Sequence, residues 1–252
     1  MADLYLRFMR PSILIILLLF TCIFPSCKTV DLLKMVQSDE AELYQFSKKD
    51  KTVGFIPMHH LGKPAFYDDV RVVVEHFKKE GYVVYYESAR MDDLDSVKED
   101  EYNRKFRKMM GAHIDSSGYA ATFHAKGLFK NLVDQPSYPQ LGVDSMDKRV
   151  DISKNELVDI YEKKFGKVIL DSFDLSTPLD ASYPFSKRLP QNQLYNIILD
   201  VRNHYLANAI RESDDKKILV IYGRMHLNGT FDELVKMEKG WKKKKLKIVN
   251  GS

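Results

Sequence analysis

Apolar positions along this chain switch between short continuous runs and a three-to-four-residue period, and the switches mark out strands and helices. Residues 51–57 (KTVGFIP) read as a strand, and a polar turn holding His59 and His60 follows. Residues 64–80 then carry Phe66, Val70, Val73, Val74 and Phe77 at helical spacing. Pro64 suits the first turn of that helix, and Gly81 after Lys78-Lys79-Glu80 suits its end. Residues 82–86 predict a second strand, which stops at Glu87. A strand–helix–strand unit with a short crossover implies a parallel pair, and ligands of such sheets bind beyond the carboxyl ends of the strands. Two imidazoles and a carboxylate stand at those ends, so the stretch 53–87 is the candidate site.

Further along, residues 91–110 are highly charged and predict a solvated helix. His113, in a Gly/Asp/Ser turn, and His124, within a short helical pattern over 119–133, read as structural. Residues 141–151 (LGVDSMDKRVD) bring Asp144, Asp147 and Asp151 close together, either to face a metal or to start a helix. Asp151 or Ser153 ahead of Glu156 resembles a helix cap, which accounts for Asp151 and leaves Asp144 open as a secondary site candidate. A helix follows over 155–165, then a Pro-containing loop over 168–188 that is long enough to line or cover a site. The longest helical pattern, 191–212, repeats Leu194, Ile197, Ile198, Val201, Tyr205 and Ala209, with Arg202 and Asn203 on its flank. A guanidinium at the edge of a buried stripe needs a carboxylate, carbonyl or anion partner. That partner is either a structural Asp or an oxygen of the substrate. Residues 217–222 (KILVIY) predict a buried parallel strand ending in Gly223-Arg224-Met225-His226, which places a further imidazole just past a strand end. Asn228-Gly229-Thr230 then turns into a short helix over 231–238. Lys242, Lys243, Lys244 and Lys245 read as a solvated edge, with anionic lipid as the alternative contact.

Composition narrows the class. The 252 residues are 44% hydrophobic, enough for one well-packed domain, and neither a linker nor a solenoid repeat divides them. A formal charge of +4, from 39 basic and 35 acidic residues, is too balanced for a nucleic-acid partner. Residues 13–24 are almost unbroken apolar sequence, shorter than the roughly 20 residues of a spanning helix and matched to a signal sequence. Ser26-Cys27 then looks like a bacterial lipobox. Residues 1–26 are expected to be a signal peptide, with Cys27 carrying the lipid (palmitate) that anchors the chain to a bilayer. Residues 27–50 form a tether with a short amphipathic helix over 32–46, and 51–252 form the exported domain of a cell-envelope lipoprotein. Ordinary signal cleavage and an uncleaved anchor are the alternatives. Cys22 and Cys27 are the only cysteines, so disulfides and thiol nucleophiles are not expected, and a metal would be held by His, Asp or Glu.

Met58-His59-His60-Leu61-Gly62 with Phe66-Tyr67, then Tyr86-Glu87, Arg202-Asn203 and Gly223-Arg224-Met225-His226, resemble the TraB/PrgY/GumN family. Its wider group includes the Tiki metalloproteases, the erythromycin esterases and the haem-binding ChaN proteins. The resemblance covers roughly residues 52–249. Its hallmarks are two Gly-x-x-His motifs, an intervening Glu and a late Arg. The second motif is intact at Gly223 and His226. In the first, His60 aligns with the family histidine and Pro57 stands where Gly is expected. Leu132-Val133-Asp134-Gln135 is similar to a mid-domain segment of relatives.

The resemblance implies an α/β fold: a central, mostly parallel or mixed sheet flanked by helices, with a helical middle insertion and both His motifs at one end. It further implies a metal-dependent, peptidase-like hydrolase acting on a peptide or small molecule. His60, His226 and Glu87 would hold a divalent ion, which imidazole and carboxylate donors suit as Zn, Mn or Co. Either Glu87 or an additional carboxylate would take the proton of the attacking water and Arg202 would stabilise the oxyanion, with His59 and Asn203 as secondary candidates. Two alternatives stand beside it. One is a metal-free, esterase-type hydrolase using His60 and Glu87, and the other is a non-catalytic protein that sequesters a peptide or haem.

Overall fold

The apolar runs over 51–58 and 217–223 lie side by side at the centre of a six-stranded sheet. In chain order the strands are β1 (Leu43–Lys48), β2 (Lys51–Met58), β3 (Leu61–Gly62), β4 (Val83–Tyr86), β5 (Val133–Asp134), β6 (Lys148–Arg149), β7 (Lys217–Gly223) and β8 (Lys242–Leu246). The main sheet has the order β6-β4-β7-β2-β1-β8, and β3 pairs with β5 in a separate two-stranded ribbon. β6, β4, β7 and β2 run parallel, while β1 is antiparallel to both β2 and β8. The computed structural model describes residues 35–111, 131–181 and 183–246, and the chain from Asp39 onward forms one compact unit.

Successive side chains of a strand point to opposite faces, and both faces of the central strands are buried. Ile56, Met58, Leu219 and Ile221 pack against Phe66, Val70, Val73 and Val74 of α1 (Pro64–Lys79). Their alternates Val53, Phe55, Ile218, Val220 and Tyr222 face the other layer. A third cluster joins α2 (Ser96–Met110) and α3 (Lys154–Phe165) through Met109, Leu157, Val158, Tyr161 and Ile197. α4 (Ser172–Ser176) is a single turn within the Pro-containing loop, and a 3-10 turn (Phe185–Lys187) follows it. α5 (Gln191–Tyr195) leads through a π-helical segment (Asn196–Val201) into α6 (Arg202–Glu212), and α7 (His226–Met237) follows β7. α6 and α7 cover the second face with Leu206, Ala207, Ile210, Leu227 and Leu234. The α/β expectation holds: a mostly parallel mixed sheet with flanking helices.

Several local expectations change. Residues 43–48 form β1, not tether or helix, because Leu43 and Phe46 fall on opposite faces of the sheet and enter its two cores. A two-residue turn with Lys49 at φ 51° returns the chain into β2. The strands flanking α1 are not neighbours. β7, buried along nearly its whole length, inserts between β2 and β4 and is parallel to each. The final helix begins at His226, so Asn228, Gly229 and Thr230 are helical and not a turn. Cys22, Cys27, His113 and His124 lie outside the described residues. Among the described residues no helix is long and apolar enough to cross a membrane.

Asp144 serves the opposite end of the sheet from Glu87. Its carboxylate meets Lys78 Nζ at 2.6 Å, while the buried Asp147 accepts from Lys78 Nζ (2.7 Å), Val84 N (2.9 Å) and Asp144 N (2.9 Å). The exposed Asp144–Lys78 pair contributes little, whereas the loss of Asp147 would leave buried donors unmet. Asp147→Ala is expected to lower stability by about 2–3 kcal/mol and Asp144→Ala by less than about 1 kcal/mol in urea unfolding. Equal losses would contradict this division of labour.

Candidate active site

Four parallel strands end at one edge, and their last residues supply the polar groups found there. Met58 of β2 is level with Gly223 of β7, Ile221 with Tyr86 of β4, and Tyr86 with Arg149 of β6. Glu87 is therefore still in the ladder, its N–H donating to Ile221 O at 3.1 Å, and Asp151 follows β6 by two residues.

Arg202 enters this edge from the first turn of α6, and only 6% of its side chain is exposed. Its guanidinium meets Asp151 in a fork, Nε to Oδ1 at 2.9 Å and Nη2 to Oδ2 at 2.8 Å. Nη2 also donates to Glu87 Oε1 at 2.6 Å. Each carboxylate is further held by backbone: Ser88 N and Ile152 N donate to Asp151, and Gly223 N donates to Glu87 Oε2 at 2.5 Å. Burial would raise the pKa of Glu87. Arg202, His226 and the Gly223 N–H outweigh it and hold the carboxyl below the usual range. Burial works against the charge of Arg202 as well, but its bond to Asp151 and the field of Glu87 keep the guanidinium firmly protonated. The π-helical segment just before Arg202 is a distortion often found at functional sites, and both Arg202 and Asn203 beyond it are buried.

His226 is buried at the start of α7. Its Nδ1 donates to Asn203 Oδ1 at 2.8 Å, which leaves the lone pair on Nε2. Nε2 faces Arg202 Nη1 at 3.4 Å and Glu87 Oε1 at 3.9 Å. Burial pushes the imidazole down to about 4, with Arg202 adding to the effect and Glu87 opposing it. Tyr222 forms the floor: its ring stands edge-on to His226 at 4.9 Å and its hydroxyl donates to Val150 O. Gly229 allows this arrangement. A Cβ there would lie 2.0 Å from Asn203 Nδ2, so a larger residue would displace the amide that orients His226.

Of the residues singled out from the sequence, Glu87, Arg202, Asn203 and His226 meet in one hydrogen-bonded group. His60 is exposed at the rim, where its charge would act on His226. His59 turns instead under α1 and stacks on Phe66 at 4.2 Å, and burial lowers its pKa to about 4. Its two ring nitrogens are buried without a hydrogen-bond partner among the described residues. Asp144 takes no part. Asp151 is the residue that the capping explanation misassigned: Ser153 with Glu156 forms the capping box, and Asp151 is the main partner of Arg202. Its position just past a strand end, as for Glu87, was the available signal. Tyr138 was also missed. Burial and the charge of Glu87 raise its phenol pKa, and its ring packs on Tyr86 at 4.6 Å.

The donor set does not fit a divalent ion as it stands. Both oxygens of Glu87 are engaged, and a guanidinium faces the free nitrogen of His226 where a second cation would be repelled. Among the described residues no group of three His, Cys, Asp or Glu is arranged to hold a metal. No protein-family model, curated protein or solved structure matches the chain.

Asp151→Ala leaves Arg202 with Glu87 alone and is expected to cost about 3–5 kcal/mol, the usual penalty for breaking a buried ion pair. Gly229→Ala, by crowding Asn203, is expected to cost about 1–3 kcal/mol and to let the two His226 tautomers mix. Ring-nitrogen NMR shifts would report the tautomers, and unchanged shifts would show that Asn203 does not set them.

Proposed function

We propose that the chain is a hydrolase of the metal-free, esterase-type class, with His226 as base, Arg202 as oxyanion donor and Glu87 as the group that holds both in place. The observation that carries the reading is the fixed tautomer of His226, whose Nε2 lone pair lies beside a buried guanidinium and a carboxylate. In this reading Nε2 takes a proton from water as the water oxygen attacks an acyl carbon. Arg202 offers N–H groups to the developing oxyanion, and the imidazolium returns the proton to the leaving group as the acyl bond breaks. Glu87 stabilises the imidazolium across 3.9 Å. His60, exposed at the rim, is suited to contact substrate. The resemblance to the TraB/PrgY/GumN group, which on its own implies a metal-dependent hydrolase, supports only the broader hydrolase class: its intact Gly-x-x-His motif falls on the turn that delivers His226.

The test is hydrolysis of a panel of activated esters and peptides before and after chelation. Activity that survives chelation, and is lost in His226→Ala and Glu87→Gln while the fold is retained, supports the proposal. Activity lost to chelation and restored by Zn, Mn or Co would return the metal-dependent reading. Peptide or haem binding without turnover would favour sequestration. Because burial pushes His226 down to about 4, well below the ordinary imidazole range, it stays neutral in mildly acidic solution, and the acid limb of kcat/KM is expected close to pH 4. The same shift bears on stability. Between about pH 6.5 and 4 the unfolded chain binds a proton that the folded one does not, so stability falls as pH drops through that window. A limb near 6.5 would remove His226 as the base.

We infer further that the chain is an exported envelope lipoprotein anchored through Cys27, on the lipobox-like Ser26-Cys27 after the apolar run. Labelled palmitate should enter the wild type and not Cys27→Ala. Label in both would refute the anchor.

A further inference from the structure

Among the described residues β8 is an edge strand of the sheet, and that edge is basic. Lys242, Lys243, Lys244 and Lys245 are consecutive and all exposed. Lys243 and Lys245 lean over the rings of Phe231 and Tyr44, and Lys245 pairs with Glu42. Lys242 and Lys244 lie on the opposite face, level with Ser47 and Gln45, and have no ion pair among the described residues. Lys49, in the adjoining β1–β2 turn, and Lys239, just before β8, are exposed as well, each beside an exposed acid, Asp50 and Glu238, that pairs with Lys216 and Lys48, so the unbroken positive strip is β8 itself. One or two charges are enough to keep an edge strand from pairing with another chain. Four lysines covering both faces, with no acid among them, form a charged strip about 10 Å long at strand rise.

We propose that the β8 edge docks the domain onto an anionic bilayer. Charge complementarity is the first argument, since each lysine near an anionic surface contributes about fivefold in binding. The second is the lipid anchor inferred at Cys27, on which this proposal rests: it holds the domain beside a bilayer and not a nucleic acid, in a chain whose total charge is close to balanced. The geometry has a consequence. β8 runs in the same direction as β2, because each is antiparallel to β1. Docking by this edge lays the strands along the membrane plane, so the end of the sheet that holds Glu87, Arg202 and His226 opens sideways and is not pressed against lipid. The proposal is independent of the hydrolase reading.

Trp241, the only tryptophan of the chain, immediately precedes β8 and serves as an internal probe. The full chain is reconstituted into phosphatidylcholine vesicles and into vesicles that also contain phosphatidylglycerol, each with a dansyl-labelled headgroup. The lipid on Cys27 inserts into both, so the difference in energy transfer from Trp241 between them reads docking of the domain and not mere attachment. Transfer is expected to be greater on the anionic vesicles, to fall at high salt, and to fall to the neutral-vesicle level in the triple variant Lys242→Gln/Lys243→Gln/Lys244→Gln. The variant is expected to need roughly 100-fold more anionic lipid for the same signal. Equal transfer on neutral and anionic vesicles, or an unchanged signal in the folded variant, overturns the proposal. If circular dichroism shows the variant unfolded, the salt and lipid dependence of the wild type decides alone. A duplex DNA fragment that displaces the domain as effectively as free anionic vesicles also overturns it, in favour of a general polyanion surface.

Discussion

A single buried cation organises the working end of this molecule. Arg202 cannot be taken out of water without compensation, and the compensation comes from Asp151 and Glu87, which follow two different strands. Gly223 N binds the far oxygen of Glu87, so a third strand is tied to the same guanidinium through one carboxylate. The register of β6, β4 and β7 and the entry of α6 are thus fixed relative to one another by one side chain. Two carboxylates against one guanidinium leave an excess negative charge. That excess is what a protonated His226 would need, although in the resting state burial keeps the imidazole neutral.

The aim of His226 depends on a second, smaller constraint. Asn203 is adjacent to Arg202 in sequence, so the helix that delivers the cation also delivers the amide that fixes the imidazole tautomer. Gly229 is one turn into the helix that His226 itself begins, and its missing side chain is the space Asn203 occupies. Cation, base and tautomer control therefore come from two helices packed side by side, and none can shift without disturbing the others.

How much of this was legible depended on whether the signal was local. Apolar runs gave β2, β4 and β7, and helical spacing gave α1 and the α5–α6 region, because burial imposes those periods on the sequence directly. Glu87 and His226 were visible for the same reason: each follows a strand end. Strand order was not visible, since nothing in residues 51–87 announces that β7 will insert between the flanking strands. β1 was hidden by its polar positions, only Leu43 and Phe46 being fully buried. Asp151 was misread because an acid two residues before a capping serine satisfies the local grammar of a helix start, and its true partner lies 51 residues away. Gly229 looked like a turn residue after Asn228, whereas its small size answers to Asn203 on another helix.

The position of Arg202 also bears on how this site would work. A guanidinium 3.4 Å from the free nitrogen of His226 is one reason the imidazole is so weak a base. A base depressed well below neutrality abstracts a proton from water less readily than one matched to the working pH. In the proposed mechanism the group that lowers its basicity is also the one that would meet negative charge developing on a substrate oxygen. As that charge formed, it would draw on the guanidinium, the field of Arg202 on His226 would weaken, and the imidazole would become a better base as the proton moved. Glu87, bound to Arg202 and facing His226, holds both groups through that change. A metal ion bound at Nε2 would, by contrast, claim the lone pair that the proposed mechanism assigns to proton transfer.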